Sequence, residues 1–183
     1  MKVRLKAGRG LELRSLRLAD AEPLFARVAA NRDRLRRWLP WVEDTRALDD
    51  SRAYILRMQA QAKAGLGLTF GLWWKERLIG VAGFTWIAQA HQGAGIGYWL
   101  DQDAEGRGLM TAAVSALLRH GFRELGLNRV EIRAGVRNRR SRAIPQRLGF
   151  RHEGTLRQVE WVDGRFVDHA VYGLLASEWA GRT

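Results

Sequence analysis

The spacing of hydrophobic residues predicts helices and strands in turn along most of the chain. The clearest helix follows Gly108 and stops at Gly126. Its apolar residues recur every three or four positions on one face: Val114, Leu118, Phe122 and Leu125. Further helices are predicted after a cap at Asp20, around 31–38, over 48–64 and over 138–148. The buried side of the helix over 48–64 is expected to contain Ala53, Leu56, Ala60 and Ala64.

Runs of branched and aromatic residues predict about seven strands between these helices. Five of them are expected at 11–18, 66–74, 77–87, 95–101 and 128–136, and the second and third form a hairpin around a Lys75-Glu76 turn. A last hairpin joins 154–162 to 165–175 through Asp163-Gly164, a strong two-residue turn. Such a turn pairs Val162 with Arg165, Trp161 with Phe166 and Glu160 with Val167. The fold class is therefore α+β.

Length and composition limit the kind of protein this is. With 183 residues the chain is expected to form one domain over 1–183, with 1–10 as an extended N-terminal segment. It has no run of about 18 apolar residues and no signal-peptide pattern, so we expect no membrane span. The absence of cysteine excludes disulfides and thiolate catalysis and fits a cytoplasmic protein. Four scattered histidines predict no metal site, and the net charge of +12 favours polyanionic partners.

A glycine-bearing loop between the strand at 95–101 and the central helix is the main candidate site. Gly106 and Gly108 allow the backbone to approach a ligand closely, and the helix that starts there offers unpaired N–H groups and a positive dipole end. Such a place suits a phosphate or pyrophosphate, although a glycine turn without a ligand is the alternative. The loop has neither the P-loop pattern nor a dinucleotide fingerprint.

The segment Asp103–Gly108 resembles the pyrophosphate loop of the GCN5-related N-acetyltransferases, except that Asp103 stands where Gln or Arg is usual. Further segments resemble the same family at its usual spacing: Leu127–Arg133, Asn138–Ser141, Arg147–Phe150, Glu153-Gly154, Trp161–Gly164 and Asp168–Tyr172. Together, residues 11–179 resemble the Rim branch, whose members acetylate the N-termini of ribosomal proteins. Ala112 departs from many relatives, which carry Glu there.

This resemblance implies a mixed, mostly antiparallel, twisted sheet, splayed between the fourth and fifth strands and flanked by helices. The pantetheine arm of acetyl-CoA is expected to enter the splay and pair with the fourth strand. The residues implied in binding acetyl-CoA are Trp99, Leu100, Gly106, Arg107, Gly108, Leu109, Met110, Thr111, Asn138 and Ser141.

The resemblance also implies roles in catalysis. Ser141 is expected to protonate the departing thiolate, although it and Asn138 also suit plain helix caps. A backbone N–H near Trp99 or Leu100 would stabilise the oxyanion. Glu160, a carboxylate in an aromatic hairpin, is the expected general base, and an exposed carboxylate paired with an arginine is the alternative.

The region from Trp38 to Trp41 is expected either to line the acceptor pocket, as the resemblance implies, or to form a corner of the core. The predicted reaction is direct transfer of acetyl to a primary amine, first of all the N-terminal α-amino group of a protein such as a ribosomal protein. A small-molecule amine acetyltransferase and a non-catalytic RNA- or ribosome-binding module remain open. The resemblance also implies a homodimer, and the basic surface suggests ribosome association.

Overall fold

The computed structural model describes residues 3–8 and 10–179, which build a mixed sheet with helices on both faces. The eight strands are β1 (Arg4–Lys6), β2 (Leu11–Ser15), β3 (Leu68–Trp74), β4 (Arg77–Ala88), β5 (Gly93–Leu100), β6 (Arg129–Gly135), β7 (Arg151–Val162) and β8 (Arg165–Leu175). The helices are α1 (Ala21–Ala30), α2 (Arg32–Leu35), α3 (Leu48–Lys63), α4 (Leu109–Arg123), α5 (Arg139–Arg147) and α6 (Ala176–Trp179).

The strands lie in the order β1-β2-β3-β4-β5-β6-β8-β7, and β5 with β6 is the one parallel pair among them. The predicted α+β fold with a mixed, mostly antiparallel sheet is confirmed. The additional strand is β1, which lies in the segment expected to be extended. Residues 1, 2 and 9 of that segment, and 180–183 at the other end of the expected domain, lie outside the described residues.

Both predicted hairpin turns are confirmed, and each has two residues in the left-handed region. The values of φ are 50° and 58° for Lys75 and Glu76, and 49° and 75° for Asp163 and Gly164. Turns of this kind match the twist of the strands that they join. The predicted register of the last hairpin is found as well, including the pairing of Glu160 with Val167.

Two hydrophobic clusters hold the helices against the sheet. The larger cluster lies under α4 and α5 and contains the fully buried Phe70, Phe84, Leu117 and Tyr172. The smaller one lies on the opposite face, where α1, α2 and α3 pack around Val81 and Trp99. Burying a large apolar side chain contributes about 1.5–3 kcal/mol, so these clusters fix the sheet between its two helical layers.

The predicted buried side of α3 is wrong. Leu56 is 51% exposed, whereas Ser51 and Ile55 are buried. The expected side consisted of three alanines and one leucine, and alanine carries little information on burial because it fits both environments. The side that packs is the one that carries Ser51 and Ile55, and Ile55 belongs to the cluster shared with α1 and the sheet.

The segment between β2 and α1 also differs from prediction. The strand expected over 11–18 ends at Ser15, and a 3-10 turn follows at Leu18–Asp20. Asp20 precedes α1 as expected, but its carboxylate accepts the N–H of Arg17 and not one from α1. The carboxylate therefore closes the preceding turn and fixes the direction in which α1 leaves the sheet.

Candidate active site

The parallel strands β5 and β6 separate at one end. They pair from Gly93 with Arg129 to Ile96 with Ile132. Beyond that point β5 stays paired with β4 up to Leu100 and β6 stays paired with β8 up to Gly135, without further pairing between β5 and β6 in the part of the chain described. The result is a gap bordered by two strand edges. Such an edge can accept an added strand of extended ligand backbone.

The glycine loop lies directly after the splayed end of β5. Gly106 and Gly108 have φ of 74° and 72°, a region that side chains with a Cβ rarely adopt. Helix α4 starts immediately after, and the N–H groups of its first turn lack partners within the helix. Leu109 and Met110 are buried, while Thr111 accepts a hydrogen bond from Arg147. The loop is therefore shaped to present backbone N–H groups to an anion.

Ionic contacts from α1, α2 and α5 anchor this loop. The carboxylate of Glu105 accepts hydrogen bonds from Arg34 and Arg140. Asp101 is buried and accepts from Arg27 at 3.0 Å and from Asn31 at 3.2 Å. Burial alone would raise the pKa of Asp101, but these hydrogen bonds outweigh it and hold the pKa below its usual range. Asp101 therefore joins α1 and α2 to the start of the loop as a charged group.

The first turn of α5 faces the gap from the side of α4. Asn138 caps this helix, because its Oδ1 accepts the N–H of Ser141 at 3.1 Å. The hydroxyl of Ser141 lies 3.3 Å from the Tyr98 oxygen, to which it donates. Tyr98 in turn donates to the Ser141 carbonyl at 3.0 Å. Burial raises the pKa of Tyr98 to about 12, so this phenol stays protonated at neutral pH.

A cleft of about 300 Å³ lies on the opposite face of the sheet. Strand alternation places Gly95 and Gly97 on this face with Trp99, and places Tyr98 on the other. The cleft is lined by residues of five strands: Thr85, Trp86, Gly95, Ile96, Gly97, Glu131, Arg133, Val159, Glu160 and His169. The candidate acid Ser141 and the candidate base Glu160 thus lie on opposite faces of the sheet, on either side of the splayed strands.

Glu160 contacts a histidine in this cleft. Its Oε2 lies 3.1 Å from Nε2 of His169, the residue of β8 two positions beyond its register partner. The side chain of Glu160 is 36% exposed and that of His169 is 16% exposed. Glu131 nearby is already occupied, since it accepts from both Arg129 and Arg133. Two carboxylates line the cleft, and of these Glu160 is the one for which the described contacts include no arginine.

An irregularity in β7 sets the position of Glu160. The register with β8 shifts between Leu156 and Glu160, Gln158 has φ of 50°, and its N–H donates to Asp168 at 2.7 Å. As a result Val159 and Glu160, although consecutive, both line the cleft. The predicted pairing of Glu160 with Val167 is found, but the local sequence did not predict this bulge.

The two tryptophans of the 38–41 region have different surroundings. A Cβ added to Gly135 would lie 3.2 Å from the Trp38 ring, so this ring packs on the backbone at the splayed end of β6. The Trp41 ring lies 6.3 Å from that of Trp99 and packs against the smaller cluster. Trp38 is thus beside the gap, and Trp41 forms the core corner that supports β5.

The remaining predicted cofactor residues surround the same gap. Trp99 and Leu100 form the splayed end of β5, and the Leu100 carbonyl accepts a hydrogen bond from Arg34. The exposed Arg107 lies over the Trp74 ring, with Cζ 5.5 Å from its centroid. Two site residues, Tyr98 and His169, were missed in the sequence analysis. His169 contacts Glu160 of the neighbouring strand, which the linear sequence does not indicate. Within residues 3–8 and 10–179, no group of acidic or histidine side chains could hold a metal.

Comparison with known proteins agrees with this geometry. Residues 10–151 match the family described as acetyltransferase (GNAT) domain. The ribosomal N-acetyltransferase candidate YdaF of Bacillus subtilis is 37% identical over 96% of this chain and 97% of its own. The ribosomal protein uS5-alanine N-acetyltransferase of Escherichia coli is 31% identical over 97% and 93%. A solved structure of RimL, the ribosomal L7/L12 α-N-protein acetyltransferase, in complex with coenzyme A has a TM-score of 0.93 at 26% identity, over 96% and 99%.

The chain belongs to the GNAT acetyltransferase family, on the side of its Rim-type members. Its activity is therefore that of an N-acetyltransferase that uses acetyl-CoA as co-substrate. The residues present fit this co-substrate, because the gap leaves a free strand edge and the glycine loop offers N–H groups where a pyrophosphate would bind. When bound, acetyl-CoA supplies an acetyl group activated as a thioester. No helix of the described chain is long and apolar enough to cross a membrane.

Proposed function

We propose that this enzyme acetylates the N-terminal α-amino group of a protein, and that ribosomal proteins are among its acceptors. The observation that carries this proposal is the cleft on the face away from α4 and α5, which is open to solvent and holds a carboxylate at the edge of the gap. A chain end can enter such a cleft while the rest of the acceptor stays outside. The proteins named above as acting on ribosomal N-termini support the acceptor class.

The proposed base is Glu160. An α-ammonium group has a pKa of about 8, so a carboxylate can accept its proton directly or through one water molecule. His169 holds this carboxylate in the cleft through the 3.1 Å contact. Loss of the proton leaves the amine lone pair free to attack the acetyl carbon, and a new C–N bond forms as the C–S bond breaks.

The other proposed roles belong to the gap. A backbone N–H of β5 near Trp99 or Leu100 stabilises the negative charge on the carbonyl oxygen during attack. Ser141 gives its hydroxyl proton to the leaving sulfur and takes up a proton from solvent in return. Asn138 orients Ser141 as the cap of α5 while binding the pantetheine arm. Trp38 lines the acceptor side, and Trp41 supports it from the core. No covalent enzyme intermediate is needed, because donor and acceptor meet through the gap.

The proposal extends to the state in which the enzyme works: a single domain over 1–183, in the cytoplasm, as a homodimer. Trp161 and Phe166 at the end of the last hairpin are 57% and 59% exposed, with ring centroids 4.8 Å apart. An exposed aromatic pair of this kind supports contact with a second copy. The net charge of +12 supports salt-sensitive association with the ribosome.

Intact-mass analysis tests the acceptor class. The enzyme is incubated with acetyl-CoA and ribosomal proteins from a host that lacks N-terminal acetylation, with Glu160→Gln as the inactive control. We expect one acetyl group on one defined N-terminus. Coenzyme A release without a modified protein, or acetylation of small amines alone, would contradict the protein acceptor, and binding of RNA without binding of acetyl-CoA would contradict the enzyme activity.

A further inference from the structure

Pro145 lies inside α5 and leaves the backbone carbonyl of Ser141 without the N–H that it would bind in a regular helix. In an α-helix the carbonyl of residue i accepts the N–H of residue i+4, and for Ser141 that residue is Pro145, which has no N–H. Pro145 is buried and lies within the regular helix. The carbonyl of Ser141 must therefore find a donor from elsewhere, because an unpaired carbonyl in partly buried surroundings is costly.

That donor is Tyr98, which lies across the gap on β5. Its hydroxyl donates to the Ser141 carbonyl at 3.0 Å, and the Ser141 hydroxyl donates back to the same phenol oxygen at 3.3 Å. The phenol is thus donor to one atom of Ser141 and acceptor from another. These two bonds connect the splayed strand β5 to α5 at the level where β5 and β6 no longer pair. Tyr98 therefore ties the first turn of α5 to the splayed end of β5 and keeps the Ser141 side chain beside the gap.

We propose that Tyr98 is a positioning residue for acetyl transfer, which acts by holding the Ser141 hydroxyl at the gap where the leaving sulfur must be stabilised. This inference rests on the proposed role of Ser141 and adds to it the residue that orients Ser141. Pro145 contributes to the same arrangement, because it has no N–H to bind the Ser141 carbonyl and so leaves that carbonyl available to Tyr98. Ser141 has one hydroxyl proton, so its hydroxyl turns from the Tyr98 oxygen to the sulfur when the thiolate forms, while Tyr98 keeps its own proton and continues to donate to the Ser141 carbonyl.

The first experiment measures the thiol of bound coenzyme A in the absence of any acceptor. A hydroxyl that donates to a thiolate favours the charged form, so the wild type should lower the pKa of this thiol. The thiolate fraction is followed by ultraviolet absorbance as the pH is raised. We expect Tyr98→Phe and Ser141→Ala each to reduce the ratio of thiolate to thiol about tenfold at a given pH. The double variant should show no further loss.

A matched control separates this effect from the general loss of a buried phenol hydroxyl. Tyr54→Phe removes the hydroxyl of a tyrosine that packs on the other cluster and whose pKa burial likewise raises to about 12. It should leave the thiol unchanged. Additive losses in the Tyr98→Phe/Ser141→Ala double variant, or an unchanged thiol in Tyr98→Phe alone, would overturn the proposal.

The second experiment tests the link to Pro145 by thermal unfolding of the ligand-free protein. Tyr98→Phe should lower Tm by about 3 °C in the wild type. In the Pro145→Ala background the new N–H satisfies the Ser141 carbonyl, so the same change should cost about 1 °C or less. An equal loss in both backgrounds would show that Tyr98 does not serve this carbonyl. Neither experiment needs an acceptor. Both results can therefore be interpreted even if the enzyme does not acetylate protein N-termini.

Discussion

At the scale of single residues, the described contacts of Glu160 in the cleft include His169 and no arginine. Arg129 and Arg133 both bind Glu131, which keeps them away from Glu160. The carboxylate that would accept the proton is thus held by a histidine, and the described contacts include no arginine bound to it. The turn at Asp163-Gly164 was enough to predict that Glu160 pairs with Val167, but the contact with His169 lies beside the bulge of β7, which local sequence does not indicate.

The variant Glu160→Gln tests this role. Gln keeps the size and loses the ability to accept the proton, so we expect kcat to fall about 100-fold, while the affinity for acetyl-CoA changes less than twofold. Steady-state kinetics and calorimetric titration measure the two quantities. Glu76→Gln serves as control, because Glu76 is an exposed carboxylate of the turn between β3 and β4. An equal loss of turnover and cofactor affinity would assign Glu160 a structural role.

The buried Asp101 gives a prediction on pH. Asp101→Asn removes the charge that Arg27 and Asn31 bind, and we expect about 2 kcal/mol lower stability at neutral pH. Because the folded-state pKa lies below the unfolded value of about 3.9, this contribution is present above that value and is lost as the pH falls through the folded-state pKa. Urea unfolding should therefore show a difference from the wild type that narrows below about pH 4. Asp49→Asn, at an exposed ion pair, should change stability by less than about 0.5 kcal/mol at either pH.

At the scale of elements, most boundaries and both turns followed from hydrophobic spacing and turn chemistry. The exceptions have physical causes. The buried side of α3 was misjudged since alanines fit either environment, and the bulge at Gln158 depends on a hydrogen bond to Asp168 from the neighbouring strand. Predicting the role of Tyr98 would require knowing that this phenol of β5 lies next to the α5 turn that contains Pro145. Local pattern cannot supply contacts of that range.

The loop before α4 carries the prediction at this scale. Gly108→Val should abolish binding of coenzyme A, because a branched side chain would crowd the pyrophosphate and disfavour the left-handed backbone. Gly126→Val is a matched control: Gly126 follows the other end of α4 and also has positive φ, 64°, with open space around it. Both variants bear similar backbone strain, so calorimetric titration should separate strain from ligand contact. Normal binding by Gly108→Val would disprove the loop assignment.

At the scale of the whole molecule, the excess of basic residues should act on the co-substrate before contact. A net charge of +12 attracts an anion such as coenzyme A over a distance that salt shortens, from about 30 Å at 0.01 M to about 8 Å at 0.15 M. Stopped-flow measurements across this range should show an association rate that falls about tenfold, with a nearly constant dissociation rate. The control is a variant in which exposed arginines remote from the site, such as Arg52 and Arg123, are changed to Glu. If its association rate falls with salt by the same factor, long-range attraction is contradicted.

In the described chain, four residue pairs join β5 to β6. This short connection separates the sheet into two parts, β1–β5 and β6–β8. Every other pair of neighbouring strands is antiparallel and local to one part. The amide protons of 97–100 that point into the gap should exchange with solvent far faster than those paired with β4, until an occupant of the gap protects them. Binding would then do more than add a ligand, since it would make the two parts of the sheet continuous and raise the cost of opening either one.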